Sequence, residues 1–198
     1  VRISLLKING GEVKLWRIIA RPFATLFILI DVLGNRKTLL IVIGIVALIF
    51  IITDFVRLLT KIELSALFKK KEVSRFSSMT LFLVAAFLSF LLFPDTIPYV
   101  SLMCITFGDF FSKLIGMRFG TCKLYKSKSL QGSLAFLGGS LMFNGIASAL
   151  LAIPFLYIAV GSVIASVVEL YSDAIDDNFT VSIVTGGVLA ALRYFFTI

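Results

Sequence analysis

The chain has no histidine, only two cysteines and only four prolines among its 198 residues. Without histidine there is no Ser-His or Cys-His nucleophile pair, no imidazole general base and no His-ligated metal. Cys104 lies in an apolar stretch and Cys122 in a basic loop, so the cysteines form neither a disulfide framework nor a zinc site. Charged residues make up only 15% of the chain, whereas a soluble domain has about 25%. This composition therefore argues against an ordinary soluble globular domain.

Apolar residues, by contrast, make up 59% of the chain, and the mean hydropathy is +1.05. Uncharged runs cover residues 38–53, 76–94, 129–168 and 178–192, and a helix needs about 20 residues to cross about 30 Å of hydrocarbon. The longest run has room for two helices, with Pro154 as the break between them. Two weaker apolar segments, the first short enough to be re-entrant, complete the set. We therefore predict an all-α fold, a polytopic membrane helix bundle in a single domain over residues 1–198, with about seven transmembrane helices at roughly 20–33, 38–57, 77–93, 97–116, 131–152, 155–171 and 180–197.

The basic residues predict the orientation of this bundle. Sixteen of the 19 lysines and arginines fall in residues 1–21, 57–75 and 113–128, which the predicted helices place on one side of the membrane. The positive-inside rule makes that side cytoplasmic. The net charge of +8 favours anionic lipid or nucleotide partners over nucleic acid. No small-residue cleavage site follows the basic N-terminal segment, so we expect no signal peptide, and the small size favours a prokaryotic plasma membrane.

Asp109 lies about two turns inside the predicted end of a membrane helix. A carboxylate at the centre of such a helix costs about 2.5–3.5 kcal/mol, so Asp109 should face a cavity, a cation or a metal. Lys113, four residues later, lies on the same helical face and can form an ion pair with it. Gly116 and Gly120 favour either close helix packing or a backbone that approaches phosphate.

A segment rich in lysine and serine precedes the predicted helix at 131–152. A helix N-terminus offers free N–H groups and a partial positive charge, and lysines nearby add point charges for a polyphosphate. The segment is not a Walker A loop, because G-x-x-x-x-G-K-[ST] does not occur. A basic loop with a serine cap is the alternative. The candidate anion ligands are Lys126, Lys128, Ser129, Gly132 and Ser133.

Four acidic residues fall between positions 169 and 177, on the side assigned to basic loops. Clustered carboxylates need a neutralising cation, and Mg²⁺ commonly binds one or two carboxylates together with phosphate oxygens and water. The alternative is that Asp177 and Asn178 simply cap the last helix. The other candidates for metal or substrate binding are Glu169 and Asp176.

A further basic cluster, at 69–71, precedes the third predicted helix. Such a cluster usually binds anionic lipid or sets orientation. Glu72 and Arg75, three residues apart, can form an ion pair. Because all these polar segments map to the same face, they predict one site at the membrane surface. Phosphoryl transfer between a nucleoside triphosphate and a lipid fits such a site, because it needs mainly positioning and charge neutralisation.

These motifs resemble those of the CTP-dependent polyprenol kinases, a family that includes dolichol kinase, phytol kinase and the fungal-type CTP-dependent diacylglycerol kinase. The similar elements are Gly108-Asp109 with the following glycines, the Lys-Ser segment at 126–133, and Glu169 followed by Asp-Asp-Asn-Phe-Thr at 176–180. The Glu72-x-x-Arg75 pair also looks like the family. The family's E-x-x-R-K-x-x-H element is matched only loosely, by Glu12 to Arg21 with Arg17 between them.

The resemblance implies transfer of the γ-phosphate of CTP to a long-chain isoprenoid alcohol, with Mg²⁺ as cofactor. Asp109 would be the central acid, as metal ligand or as base for the lipid hydroxyl. Asp176 and Asp177 would help to hold Mg²⁺, with Glu169 and Asn178 nearby. The implied nucleotide ligands are Arg118, Lys126, Lys128, Ser129, Gly132, Ser133 and Gly116.

Two other functions remain open from the sequence. A CDP-lipid cytidylyltransferase would share the aspartate, the glycine pair and the Lys/Ser-rich helix start, but would release pyrophosphate instead of CDP. A small membrane transporter is the second alternative, although transporter sites lie near the bilayer midplane rather than at one face. No signal for an oligomeric state is present.

Overall fold

A computed structural model describes residues 5–8, 11–14, 21–60, 75–172 and 176–196, and every structural statement below refers to these residues. Arg17 and Glu72 lie outside them. Seven helices occupy the predicted positions. They are α1 Thr25–Leu33, α2 Arg36–Thr60, α3 Ser78–Leu92, α4 Ile97–Phe119, α5 Leu130–Leu151, α6 Phe155–Tyr171 and α7 Asp177–Phe196.

Four of these helices, α2, α4, α5 and α7, are long and apolar enough to cross a membrane. The helices α1, α3 and α6 are apolar but shorter, so the transmembrane prediction is supported by length for four of the seven. The outer face of α2 exposes a stripe of apolar side chains at helical spacing, as expected of a surface that faces lipid. Its members are Ile41, Ile45, Leu48, Ile52 and Phe55.

The break between α5 and α6 lies where Pro154 predicts it. Helix α5 ends at Leu151, and Ala152 adopts a left-handed conformation with φ of 49°. Its N–H donates to the Ser148 carbonyl at 3.0 Å, which closes the helix end. Pro154 has no N–H to lose and directly precedes the first residue of α6.

Two short antiparallel hairpins were not predicted. Strands β1 (Leu5–Ile8) and β2 (Gly11–Lys14) pair with Leu5 opposite Lys14. In the sequence Asn9-Gly10 separates them, which is a strong hairpin signal. Strands β3 (Lys123–Tyr125) and β4 (Lys128–Ser129) form the second hairpin, between α4 and α5.

Helix α4 contains one turn of π-helix at Cys104–Gly108, between α-helical segments Ile97–Met103 and Asp109–Phe119. Single π turns of this kind occur frequently at functional sites. A Cβ atom on Gly108 would lie 2.5 Å from Ser140 Oγ and 2.8 Å from the Phe136 ring. Glycine therefore permits the close approach of α4 to α5 immediately before Asp109.

Polar contacts at one end of the bundle, the Arg36 end, join three chain segments. Arg36 contacts the Asp31 carboxylate at 2.8 Å and donates to the Phe93 and Asp95 carbonyls at 3.3 and 3.0 Å. Arg193, near the end of α7, forms an ion pair with Asp95 at 2.6 Å. Arg36 and Arg193 both bind Asp95 and therefore lie together. They are two of the three basic residues that the predicted topology assigns to the non-cytoplasmic side.

The opposite end, the Asp109 end, contains a buried ion pair within α2 whose further hydrogen bonds join α2 to α3. Asp54 is fully buried, and Arg57 Nε donates to its Oδ1 at 3.1 Å. Asp54 Oδ2 accepts hydrogen bonds from the Ser77 N–H at 2.7 Å and from Thr80 Oγ1 at 2.6 Å. Arg57 also donates to the Arg75 carbonyl at 2.6 Å. These bonds fix the first turn of α3 against the last turns of α2.

Chemical labelling can test whether the two ends face opposite sides of a membrane. Cys122 is exposed at the Asp109 end, whereas Cys104 is buried, so a membrane-impermeant maleimide should label Cys122 only in inside-out vesicles. A cysteine introduced at exposed Lys37, in a Cys122→Ser background, should be labelled only in right-side-out vesicles. Labelling of both positions from the same side would contradict this arrangement.

Candidate functional site

At the Asp109 end, residues from four helices line one narrow space. Its polar lining comes from Asp109 of α4, Glu169 of α6, and Asp177 and Asn178 of α7. Its apolar lining is formed by Ile105, Phe136 and Val181. Residues up to 76 positions apart in the sequence therefore line the same space, with acidic and apolar side chains side by side.

Asp109 is buried, with 3% of its surface exposed, and its Oδ2 contacts Lys113 Nζ at 2.7 Å. This confirms the ion pair predicted from their spacing of four residues. The lysine side chain is 30% exposed, so the pair joins the interior to the surface of the site. The pair supplies the opposite charge that a carboxylate buried in an apolar helix needs.

Glu169 lies in the last turn of α6 and is also paired with a lysine. Lys128 Nζ contacts Glu169 Oε1 at 2.6 Å and also donates to the Glu169 carbonyl oxygen. The second carboxylate oxygen, Oε2, is buried and has no hydrogen-bond partner among the described residues. Lys128, predicted to bind triphosphate, therefore holds a carboxylate of the same site in this conformation.

Asp176 forms the cap of α7. Its Oδ1 accepts hydrogen bonds from the Asn178 N–H at 3.1 Å and from Asn178 Nδ2 at 2.7 Å. Its Oδ2 accepts one from Ser78 Oγ at 2.5 Å, which links α7 to the start of α3. The capping alternative placed this role on Asp177 and Asn178, whereas the structure gives it to Asp176. The metal-binding role of Asp176 stays a prediction, and its neighbours Asp177 and Asn178 line the space instead.

The lysine- and serine-rich segment ends in a capped helix. Ser129 Oγ accepts a hydrogen bond from the Gly132 N–H at 3.2 Å, as an N-cap residue does. A Cβ atom on Gly116 would lie 3.3 Å from Gly132 Cα, and one on Gly120 would lie 2.6 Å from Ser129 Oγ. These glycines pack α4 closely against α5, which is the packing alternative of the sequence analysis. A role of Gly116 and Gly132 in nucleotide binding stays a prediction.

The remaining predicted nucleotide ligands are not part of the lining. Lys126, in the turn between β3 and β4, has φ of 49°, and its Nζ lies 5.1 Å from the centre of the Tyr125 ring. Arg118 is exposed near the end of α4, with its guanidinium carbon 5.4 Å from the Phe119 ring centre. Ser133 Oγ is buried and has no partner among the described residues.

The polar residues that line the space offer carboxylate and amide oxygens as donors. Within the described ranges, no three Asp, Glu, Cys or His side chains are arranged as a metal site. Glu169 and Asn178, which line the space, nevertheless each have one buried oxygen, Oε2 and Oδ1, without a partner in this part of the chain. They are hard oxygen donors of the type Mg²⁺ prefers. The residues therefore fit a Mg²⁺ that keeps phosphate and water ligands, and do not form an all-protein cage.

Ser78 and Asp54 were not identified from the sequence as parts of this region. Ser78 contacts Asp176 across 98 positions of the chain, and no local sequence pattern predicts such a contact. Asp54, three residues before Arg57, carried a recognisable signal, because oppositely charged residues at that spacing share a helical face.

No known family model matches the chain, and no curated protein or solved structure matches it either. The resemblance to the CTP-dependent polyprenol kinases therefore rests on the motifs themselves. The structure adds one independent observation, which is where the motif residues lie in the fold.

The buried Lys128–Glu169 pair predicts a stability difference between two neighbouring lysines. Lys128→Met should destabilise the protein by about 3 kcal/mol, the lower end of the range for breaking a buried pair, because the lysine side chain is 17% exposed. Lys126→Met, at an exposed position of the same hairpin, should change stability by less than about 0.5 kcal/mol. Unfolding in mixed micelles by titration with SDS would measure both.

A double variant supplies the control for charge burial. Lys128→Met combined with Glu169→Gln should be more stable than Lys128→Met alone, because no unpaired carboxylate remains buried. Equal effects of Lys126→Met and Lys128→Met would contradict the importance of this pair.

Proposed function

We propose that the protein is a CTP-dependent lipid-alcohol kinase that transfers the γ-phosphate of CTP to a polyprenol of the dolichol or phytol type. One observation carries the proposal: Asp109, Glu169, Asp177 and Asn178 line a single space at one end of an apolar bundle. These are the residues that the resemblance assigns to catalysis and to the surroundings of Mg²⁺. Their convergence is what phosphoryl transfer requires, because that reaction depends on positioning and charge neutralisation.

Asp109 is the proposed general base for the lipid hydroxyl. It accepts the hydroxyl proton as the alcohol oxygen forms a bond to the γ-phosphorus. The bond between that phosphorus and the oxygen bridging to the β-phosphate breaks, and CDP leaves with this oxygen. Lys113, at 2.7 Å from Asp109 Oδ2, orients the carboxylate and neutralises its charge before substrate binds.

The nucleotide phosphates are proposed to bind on the lysine side of the site. Lys113 and Lys128 both hold carboxylates of the site and can contact phosphate oxygens when these carboxylates take other partners. Arg118 and Lys126, exposed at the Asp109 end of the bundle, add positive charge for long-range attraction. When bound, Mg²⁺ would neutralise phosphate charge, with Glu169, Asn178 and Asp177 as the residues placed to hold it.

The lipid substrate is proposed to meet the apolar side of the same space. Ile105, Phe136 and Val181 line it next to Asp109. An isoprenoid chain gains from burial against such side chains, by roughly 25 cal/mol per Å² of apolar surface. Its terminal hydroxyl would then lie close to the carboxylate.

The proposed location is a multi-pass position in a prokaryotic plasma membrane, with the site on the cytoplasmic side. The Asp109 end holds Lys113, Arg118 and Lys128, whereas Arg36 and Arg193 lie at the opposite end. This asymmetry of positive charge supports the orientation.

A labelled-nucleotide assay tests the proposed activity. Purified protein would be incubated with γ-³²P-CTP, Mg²⁺ and a panel of dolichol, shorter polyprenols, phytol, geranylgeraniol and diacylglycerol. Label should enter the lipid fraction, and Asp109→Asn should lower the rate roughly 100- to 10,000-fold, the contribution of a general base. Asp95→Asn is the matched control, because it removes a paired carboxylate at the opposite end and should retain activity.

The same assay can reject the proposal. Absence of labelled lipid with every alcohol, together with pyrophosphate release when a phosphorylated lipid is supplied, would favour the cytidylyltransferase. Equal loss of activity in the Asp95 and Asp109 variants would show that Asp109 has no specific role in the reaction.

A further inference from the structure

The side-chain amide of Asn178 is buried in a defined orientation. Asn178 is 1% exposed, and its Nδ2 donates to Asp176 Oδ1 at 2.7 Å. The reverse orientation would place the amide oxygen against a carboxylate oxygen at the same distance, and two acceptors repel each other. The amide oxygen therefore points away from Asp176.

This oxygen lacks a partner where one is expected. Asn178 Oδ1 is buried without a hydrogen bond among the described residues, and Asn178 lines the space shared with Asp109 and Glu169. A buried acceptor left unsatisfied costs about 1–3 kcal/mol. Such groups are rare in native proteins and often mark a bound ion or water.

A second residue of the same lining also has an unsatisfied oxygen. Glu169, 5% exposed, accepts a hydrogen bond from Lys128 at Oε1, while its Oε2 stays buried without a partner in the described part of the chain. Two residues of one lining, one from α6 and one from α7, therefore each have a buried oxygen without a donor. An amide oxygen and a carboxylate oxygen are suitable ligands for a divalent cation.

A chain of hydrogen bonds fixes the orientation of Asn178 from the far side. Asp176, which binds the Asn178 amide, is held by Ser78 Oγ at 2.5 Å. Ser78 begins α3, and the nearby Ser77 and Thr80 are anchored to the fully buried Asp54 of α2. The amide is therefore connected to two helices, α3 and α2, that do not otherwise contribute to the polar lining.

We propose that Ser78 and Asp176 are positioning residues that aim the Asn178 amide oxygen into the site, where it binds a divalent cation together with Glu169 Oε2. This gives Asp176 a supporting role in place of the direct metal ligation predicted from the sequence, and adds Ser78, which no motif contained. Supporting contacts of this kind typically change metal affinity 10- to 100-fold. That this cation is the Mg²⁺ of a nucleotide substrate rests on the proposed function, whereas the existence of the cation site does not.

Binding of Mn²⁺ alone tests the proposal without an activity assay. Free Mn²⁺ gives an electron paramagnetic resonance signal that is lost on binding, so titration of the purified full chain in detergent reports affinity directly. Asn178→Ala should remove a ligand and weaken binding most. Ser78→Ala and Asp176→Ala should weaken it roughly 10- to 100-fold, and Ser78→Thr, which keeps the hydroxyl, should restore most of the affinity.

The chain offers a matched control for Ser78→Ala. Ser89 and Ser182 form a hydroxyl–hydroxyl hydrogen bond of 2.8 Å between the same two helices, α3 and α7, away from the site. Ser89→Ala removes this bond and should leave Mn²⁺ affinity unchanged. If contacts between α3 and α7 had only a structural role, Ser78→Ala and Ser89→Ala would have the same Mn²⁺ affinity.

The outcomes separate this proposal from the proposed kinase activity. Wild-type protein that binds no Mn²⁺, or equal affinities in the Ser78→Ala and Ser89→Ala variants, would overturn the positioning role even if lipid is phosphorylated. Mn²⁺ binding that depends on Ser78 and Asn178, without phosphorylation of any alcohol, would support the site and overturn the kinase.

Discussion

Carboxylates buried in an apolar bundle must keep a cation within hydrogen-bond distance, and the polar architecture of this protein follows from that constraint. Removing an ion from water costs several kcal/mol, and an unpaired buried charge destabilises a fold by about 3–5 kcal/mol. Four such pairs among the residues that the structure describes are Asp31–Arg36, Asp54–Arg57, Asp109–Lys113 and Lys128–Glu169. The second and third each lie within a single helix. The first and fourth join separate elements, so they also determine which elements are neighbours.

The distinction between contacts within one helix and contacts between separate elements also explains how much of the site was predictable. Asp109 and Lys113 are four residues apart, so helical periodicity alone predicts their contact, and the structure confirms it. Lys128 and Glu169 are 41 positions apart and Ser78 and Asp176 are 98 apart. Such contacts depend on the packing of whole helices, and the sequence predicts only that these residues share one end of the bundle.

Helix positions were predictable for a related reason. Uncharged runs reflect the cost of placing charge in hydrocarbon, which acts on every residue of a span. The hairpin of β3 and β4 has strands of three and two residues, too short for a period-two pattern to emerge. The π turn at Cys104–Gly108 was also missed, because it depends on the approach of Gly108 to Phe136 and Ser140 on α5.

Charge neutrality at the Asp109 end also limits what the proposed kinase can bind. Asp109 and Glu169 each hold a lysine, so a triphosphate that arrived alone would have to displace carboxylates and leave them unpaired. A divalent cation alone, bound as proposed to Glu169 Oε2 and Asn178 Oδ1, would displace neither lysine. A cation and a polyphosphate together can exchange partners, with oxygens of the site turning to the cation and lysines to the phosphates. The buried pairs therefore favour a metal–nucleotide complex over the nucleotide alone, because the complex leaves no charge without a partner.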